Sequence, residues 1–199
     1  MHYRRLACAV LGFWLAGSIC MMVVAAHNFA GADEIAASPS ARASKDVLTL
    51  GKAETRLLLR HAAAELNRWY FENWERVQLG LGAALLLMLF FGADARSAWL
   101  AMTLLMLVAT GVQHWLLTPQ IIRLGRILDF AFSPESDFYK ESHRFSGLHA
   151  TYSVIELAKL ALGLFLTLQL AKRSKRRSTG VRDEIDSIDD ADNGHINGR

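Results

Sequence analysis

Hydrophobic and polar positions along this chain fall into blocks. Four stretches, 6–32, 77–93, 97–122 and 145–171, hold 97 residues and only two charged side chains, Glu156 and Lys159. The other 102 residues carry the remaining 39 charges. A water-soluble domain spreads charge along the exposed face of every element, so this segregation excludes an ordinary globular core. Each stretch approaches the roughly 20 residues a helix needs to cross a bilayer. The expected fold class is an all-α membrane protein, a bundle of four transmembrane helices with spans at about 6–30, 76–93, 97–118 and 146–171.

The first stretch also has the basic start (Arg4, Arg5) and small residues (Ala30-Gly31-Ala32) of a cleaved signal peptide. Its 27 uncharged residues exceed the roughly 7–15 of a signal core, so it reads as a retained span. Residues 33–43, with Ser38, Pro39 and Ser40, read as a flexible linker. A helical period then sets in. Leu59, Ala62, Ala63, Leu66, Tyr70 and Trp74 recur at steps of three and four, opposite Arg60, Glu65, Arg68, Glu72 and Arg76. This predicts an extracytoplasmic amphipathic helix over about 46–75, leading into the second span and either lying on the membrane or covering the bundle. Trp69, Tyr70, Phe71 and Trp74 at one level and Trp99 at the other match the aromatic belts of a spanning protein. Pro119 closes the third apolar run, and Ser133-Pro134-Glu135 has the Ser cap, first-turn Pro and acid of a helix start.

Charge decides the orientation. Arg4 and Arg5, Arg96, and the cluster Lys172, Arg173, Lys175, Arg176 and Arg177 fall on one side of a four-span chain, which the positive-inside rule assigns to the cytoplasm. The seven cations of 33–76 and the four of 123–144 are matched one for one by acids. The expected location is a bacterial inner membrane, with both termini cytoplasmic. The cluster after the last span reads as a contact for anionic lipid and not for nucleic acid, because it abuts a span. Beyond it the tail turns acidic, and 172–199 reads as a disordered cytoplasmic tail. Cys8 and Cys20, twelve residues apart, stand about 18 Å from one another along a helix, too far for a disulfide.

The fourth span carries the chemistry. His149, Tyr152, Ser153, Glu156, Gly163 and Thr167 share one helical face, with Lys159 on its flank. Charges near mid-membrane are costly against lipid, so this stripe is expected to face the bundle, as an ion path or as a self-neutralising structural pair. Histidines make a second group: His27, His114 and His149 lie toward one side of the membrane, where converging imidazoles would suit haem iron or a transition metal. In the first span Ala9, Ala16, Cys20 and His27 form a face of mostly small residues that favours close helix contact; in the third, Thr103, Thr110 and His114 share a face. Gly80, Gly82, Ala83 and Ala84 make a small-residue patch in the second span, read as packing. The sequence contains no phosphate-binding Gly loop, HExxH, CxxC or GxSxG motif.

Several short motifs resemble the transmembrane-protein-205-like family of four-span membrane proteins. They are Phe13-Trp14-Leu15-Ala16-Gly17, Val23-Val24-Ala25 with Asn28-Phe29, Arg68-Trp69-Tyr70-Phe71, Thr118-Pro119-Gln120-Ile121, and Phe145-Ser146-Gly147-Leu148-His149 with Ser153. The resemblance covers roughly residues 10–170 and departs at Ala26-His27, where many members have Pro, and in the long segment 33–76. It implies a four-helix integral membrane protein and no particular activity.

The function expected from these residues is that of a non-enzymatic membrane component, structural or partner-binding, with no cofactor. Its surroundings are the lipid bilayer and a membrane-protein partner or a second copy of the chain. Two alternatives stay open: a small proton- or cation-coupled transporter using the stripe of span four, and a haem- or metal-binding bundle.

Overall fold

The computed structural model describes residues 2–38, 44, 49–92, 97–129 and 136–196, and in the last helix the side chains of 140–172. All the described elements are helices: α1 (His2–Ala37), α2 (Lys52–Phe91), α3 (Ser97–Leu128) and α4 (Ser136–Ile196). Each is long and apolar enough to cross a membrane, so the protein is an all-α, four-helix bundle of multi-pass membrane type. The near end of the bundle holds Arg4, Gly92 and Lys172; the far end holds Ser38, Lys52 and Asp129.

The bundle core is thin, as the bilayer permits. Side chains facing lipid need no cover, and Phe13, Val23, Leu87, Phe90, Val108, Trp115, Val154 and Leu157 stand exposed. Toward the near end, Ala7 and Leu11 of α1 meet Leu85 and Leu89 of α2, Trp99 of α3, and Leu166 and Leu170 of α4. At mid-height Trp14, Trp74 and Met106 form a second cluster. Two glycines let the helices close there. A Cβ at Gly17 would run into the Trp74 ring, and one at Gly163 would stand 2.8 Å from Leu15 Cδ2.

α2 has 40 residues, about 60 Å of helix against a hydrocarbon core of about 30 Å. Its charged first half is continuous with the span and packs against the far ends of α1 and α3. It packs on an extension of α1, which stays helical through Ala37 where a linker is expected from residue 33. The reason is contact: Ala32 and Ala36 are buried, and Asp33 pairs with Arg56 at 2.9 Å and Arg60 at 3.8 Å. The inward face of α2 is rotated from the expected one. Ala63, Ala64, Asn67, Trp74, Glu75, Gln78, Gly82, Leu85 and Leu89 are buried, while Leu66 and Ala62 are exposed. Asn67 displaces Leu66 because it has hydrogen bonds to make, donating to the Ala25 carbonyl at 3.1 Å and accepting from Asn28 at 2.7 Å. The helix starts at Lys52 after Gly51, whose φ of 91° suits glycine, and residues 46–48 of the expected helix lie outside the described residues.

On α1 the small-residue face is the outward one. Ala9, Ala16, Cys20 and His27 are exposed, and the packed face is Ala7, Leu11, Trp14 and Ser18, where larger side chains fill the space between helices. α3 does not end at Pro119. It widens into a π-turn over Gln113–Leu117, and Pro119 falls in the first turn of the α-segment Thr118–Leu128, where its missing N–H costs least. The Ser133-Pro134 start signal lies outside the described residues. The backbone of α4 is helical to Ile196 and takes in most of the tail read as disordered. No proline follows Pro134 to stop it, although the charged composition offers no apolar face to bury.

Candidate functional site

The stripe of α4 meets polar side chains from all three other helices. Glu156 and Lys159 are both buried, with Lys159 Nζ 2.6 Å from Glu156 Oε2. Glu156 Oε1 accepts from Ser18 Oγ of α1 at 3.0 Å and from Gln78 Nε2 of α2 at 3.0 Å. Glu156 Oε2 also accepts from Gln113 Nε2 of α3 at 3.2 Å. Lys159 Nζ donates to Gln78 Oε1 at 2.5 Å and to Thr110 Oγ1 at 3.3 Å. Gln78 thus bridges the pair, its carbonyl toward the ammonium and its amide toward the carboxylate, and only that amide orientation serves both ions. Trp74 Nε1 closes the layer by donating to Ser18 Oγ at 3.3 Å.

A second polar layer sits about one turn nearer the far end. Glu75 of α2 is fully buried, 3.0 Å from His114 Nδ1 and accepting from Thr118 Oγ1 at 2.5 Å, both on α3. Tyr152 lies beside Glu75, and its ring meets Phe71 edge-on at 5.9 Å. Gln113 joins the layers, since its Nε2 donates to the Tyr152 carbonyl at 3.2 Å as well as to Glu156. Its Oε1 is buried with no hydrogen-bond partner among the described residues. The π-turn brings this about: one extra residue per turn lets Gln113, His114 and Thr118 all face the bundle.

The residues expected from sequence are placed unevenly. Tyr152, Glu156, Lys159 and Gly163 face inward. Ser153 and Thr167 return their hydroxyls to carbonyls of their own helix, those of His149 and Gly163. His149 is exposed and stacks on Phe145, 5.9 Å away, on the outward face of α4. His27 is exposed as well, so neither joins His114, and the histidine trio makes no ligand set. Lys172 is exposed; the side chains of Arg173, Lys175, Arg176 and Arg177 lie outside the described ones. Ser18, Glu75, Gln78 and Gln113 have no place in the sequence reading. The available signal is the step of three and four through Glu75, Gln78, Gly82, Leu85 and Leu89, which marks one face of α2.

Charges return at the far end in a third group. Arg68 lies 2.7 Å from Glu65 and 2.8 Å from Asp129, Arg126 holds both oxygens of Glu65 at 2.9 and 3.0 Å, and His61 Nδ1 lies 2.9 Å from Asp129. Arg126, and after it Arg68, hold the Glu65 carboxyl down at about 2. His61, Glu65 and Asp129 have ligand atoms within 4.8 Å of one another, the one such group among the described residues. The two guanidiniums already occupy their carboxylates, which is the arrangement of an ion-pair network.

No protein-family model matches the chain, and neither a curated protein nor a solved structure does.

Proposed function

We propose that this chain is a non-enzymatic component of a bacterial inner membrane, structural or partner-binding, with its basic near end in the cytoplasm. The observation that carries the reading is the saturation of the Glu156–Lys159 pair. Its carboxylate accepts from Ser18, Gln78 and Gln113, and its ammonium donates to Gln78 and Thr110, so every helix contributes a partner. Charges in hydrocarbon persist only when paired and hydrogen-bonded, and a pair held on all sides is a clamp between helices. The resemblance to the transmembrane-protein-205-like family agrees with this reading, and we propose it on the motifs quoted above.

The direct test is Glu156→Gln. The expected result is a lower melting temperature in detergent with no change in any flux across proteoliposomes. A protein-dependent proton leak that the substitution abolishes would overturn the reading.

A second reading, a small proton- or cation-coupled carrier, is favoured by one specific arrangement. Glu75 with His114 stands next to Glu156 with Lys159, joined through Tyr152 and Gln113, and Gln113 Oε1 is left as a buried acceptor beside them. Proteoliposomes carrying a pH-sensitive dye distinguish the two, because the carrier requires a leak sensitive to both Glu75→Gln and Glu156→Gln.

A further inference from the structure

A cavity of about 380 Å³ opens at the far end between α3 and α4, lined by Arg123, Leu124, Ile127, Lys140, Glu141 and Arg144. Its charges are three cations against one carboxylate. Arg144 Nη2 donates to Gln120 Oε1 at 3.2 Å; Arg123 and Lys140 are exposed and make no ion pair among the described residues. This sets the cavity apart from the rest of the far end, where Arg56, Arg60, Arg68 and Arg126 are each turned onto a carboxylate.

Depth decides what such a cavity meets. Arg123 is the first charge after the uncharged run 97–122, and Arg144 is the last before the run 145–171. Both therefore stand at the boundary between hydrocarbon and headgroups, with Lys140 one turn farther out. Leu124 and Ile127 supply an apolar wall beside them. Cations at headgroup depth, set directly above the uncharged runs 97–122 and 145–171 that acyl chains lie against, fit the phosphate of a lipid.

We propose that this cavity binds the phosphate of an anionic phospholipid headgroup, with Arg123 and Lys140 as its ligands and Arg144 as a third cation held in place by Gln120. A phosphate there has two possible sources, the lipid and the aqueous phase, and the position of Arg123 and Arg144 at the ends of the uncharged runs favours the lipid.

The experiment uses the full-length chain in neutral detergent. Phosphatidylglycerol or phosphatidylcholine is titrated in and bound lipid is counted by native mass spectrometry; a parallel arm adds inorganic phosphate alone. Arg123→Gln, Lys140→Gln and the double variant are compared with wild type, each first shown to melt normally. The basic cluster after α4 is common to all four proteins and drops out of the comparison. The expected result is preferential retention of phosphatidylglycerol, weakened about 5-fold by either single change and about 30-fold by both. Equal retention of the two lipids, or no difference between wild type and the double variant, overturns the proposal. Displacement of phosphatidylglycerol by inorganic phosphate at equal concentration overturns the lipid as the source.

Discussion

The two ionic regions of this protein are built from the same side chains under opposite rules. At the far end, Arg56, Arg60, Arg68 and Arg126 face Asp33, Glu65 and Asp129 in a spread network whose members are partly exposed. Inside the bundle one ammonium meets one carboxylate, both buried, with amides and hydroxyls spent on holding them, and the other buried carboxyl, Glu75, is held by His114 and Thr118. The difference is the solvent. Near water a charge is screened and replaceable, and a network adds little per pair; in hydrocarbon a charge has no alternative partner, so its surroundings have to be complete. A member of the outer network can therefore be lost cheaply, while a member of the inner pair cannot be lost alone.

The sharpest way to break that contrast is to strip one member of the inner pair. Lys159→Met leaves Glu156 buried and uncompensated, and should lower stability in detergent by about 3–5 kcal/mol. The isosteric double change Glu156→Gln with Lys159→Met should recover a large part of that loss in the same unfolding measurement. If the double variant is no better than the single, the pair is not what the layer is built around.

A smaller effect is expected at Gly17, where the helices close over the layer. Gly17→Ala forces the Trp74 ring away from Ser18 and should cost about 1–3 kcal/mol, read by denaturant or thermal melting. An unchanged melting point would mean that the α1–α2 approach has slack.

Least of all should come from the outer network. Glu65→Gln removes a carboxylate whose side chain is 35% exposed, so no more than about 1 kcal/mol is expected, shrinking further in high salt. The Lys159→Met loss should be insensitive to salt, which puts the comparison into one titration. Acid gives a related contrast. The folded Glu65 carboxyl is held near 2 against an ordinary 4.5, so its contribution is complete above about pH 4.5 and is lost as pH falls toward 2. Glu65→Gln should flatten that part of a stability–pH curve; an unaltered acid limb would show that the arginines contribute nothing there.

Much of the membrane architecture could be read from one dimension. Four uncharged runs announce four helices because a bilayer accepts no other use for them, and Glu156 and Lys159 have to face inward because lipid will not hold them. The inward turn of Thr103 and Thr110 was equally open to reading from their spacing. The partners of the ion pair were not. Ser18, Gln78 and Gln113 are uncharged polar residues inside apolar runs, where a single hydroxyl or amide leaves no trace in a hydropathy average. Glu75 falls just before the run 77–93, among the acids that balance the loop cations, and so shows no sign of being buried. The shared polarity of His27 and His149 with His114 likewise says nothing about which of them falls on an outward face.

The sequence by itself determined the solvent, the number of crossings and the presence of one buried charge pair, since these follow from how many charges each run contains. Tertiary structure alone decided which face of each helix turns inward, that a π-turn carries α3 past Pro119, and which side chains from α1, α2 and α3 surround Glu156. Those choices depend on the fit between helices whose contacting residues stand from 32 to 138 positions apart in sequence, and no local pattern records that fit.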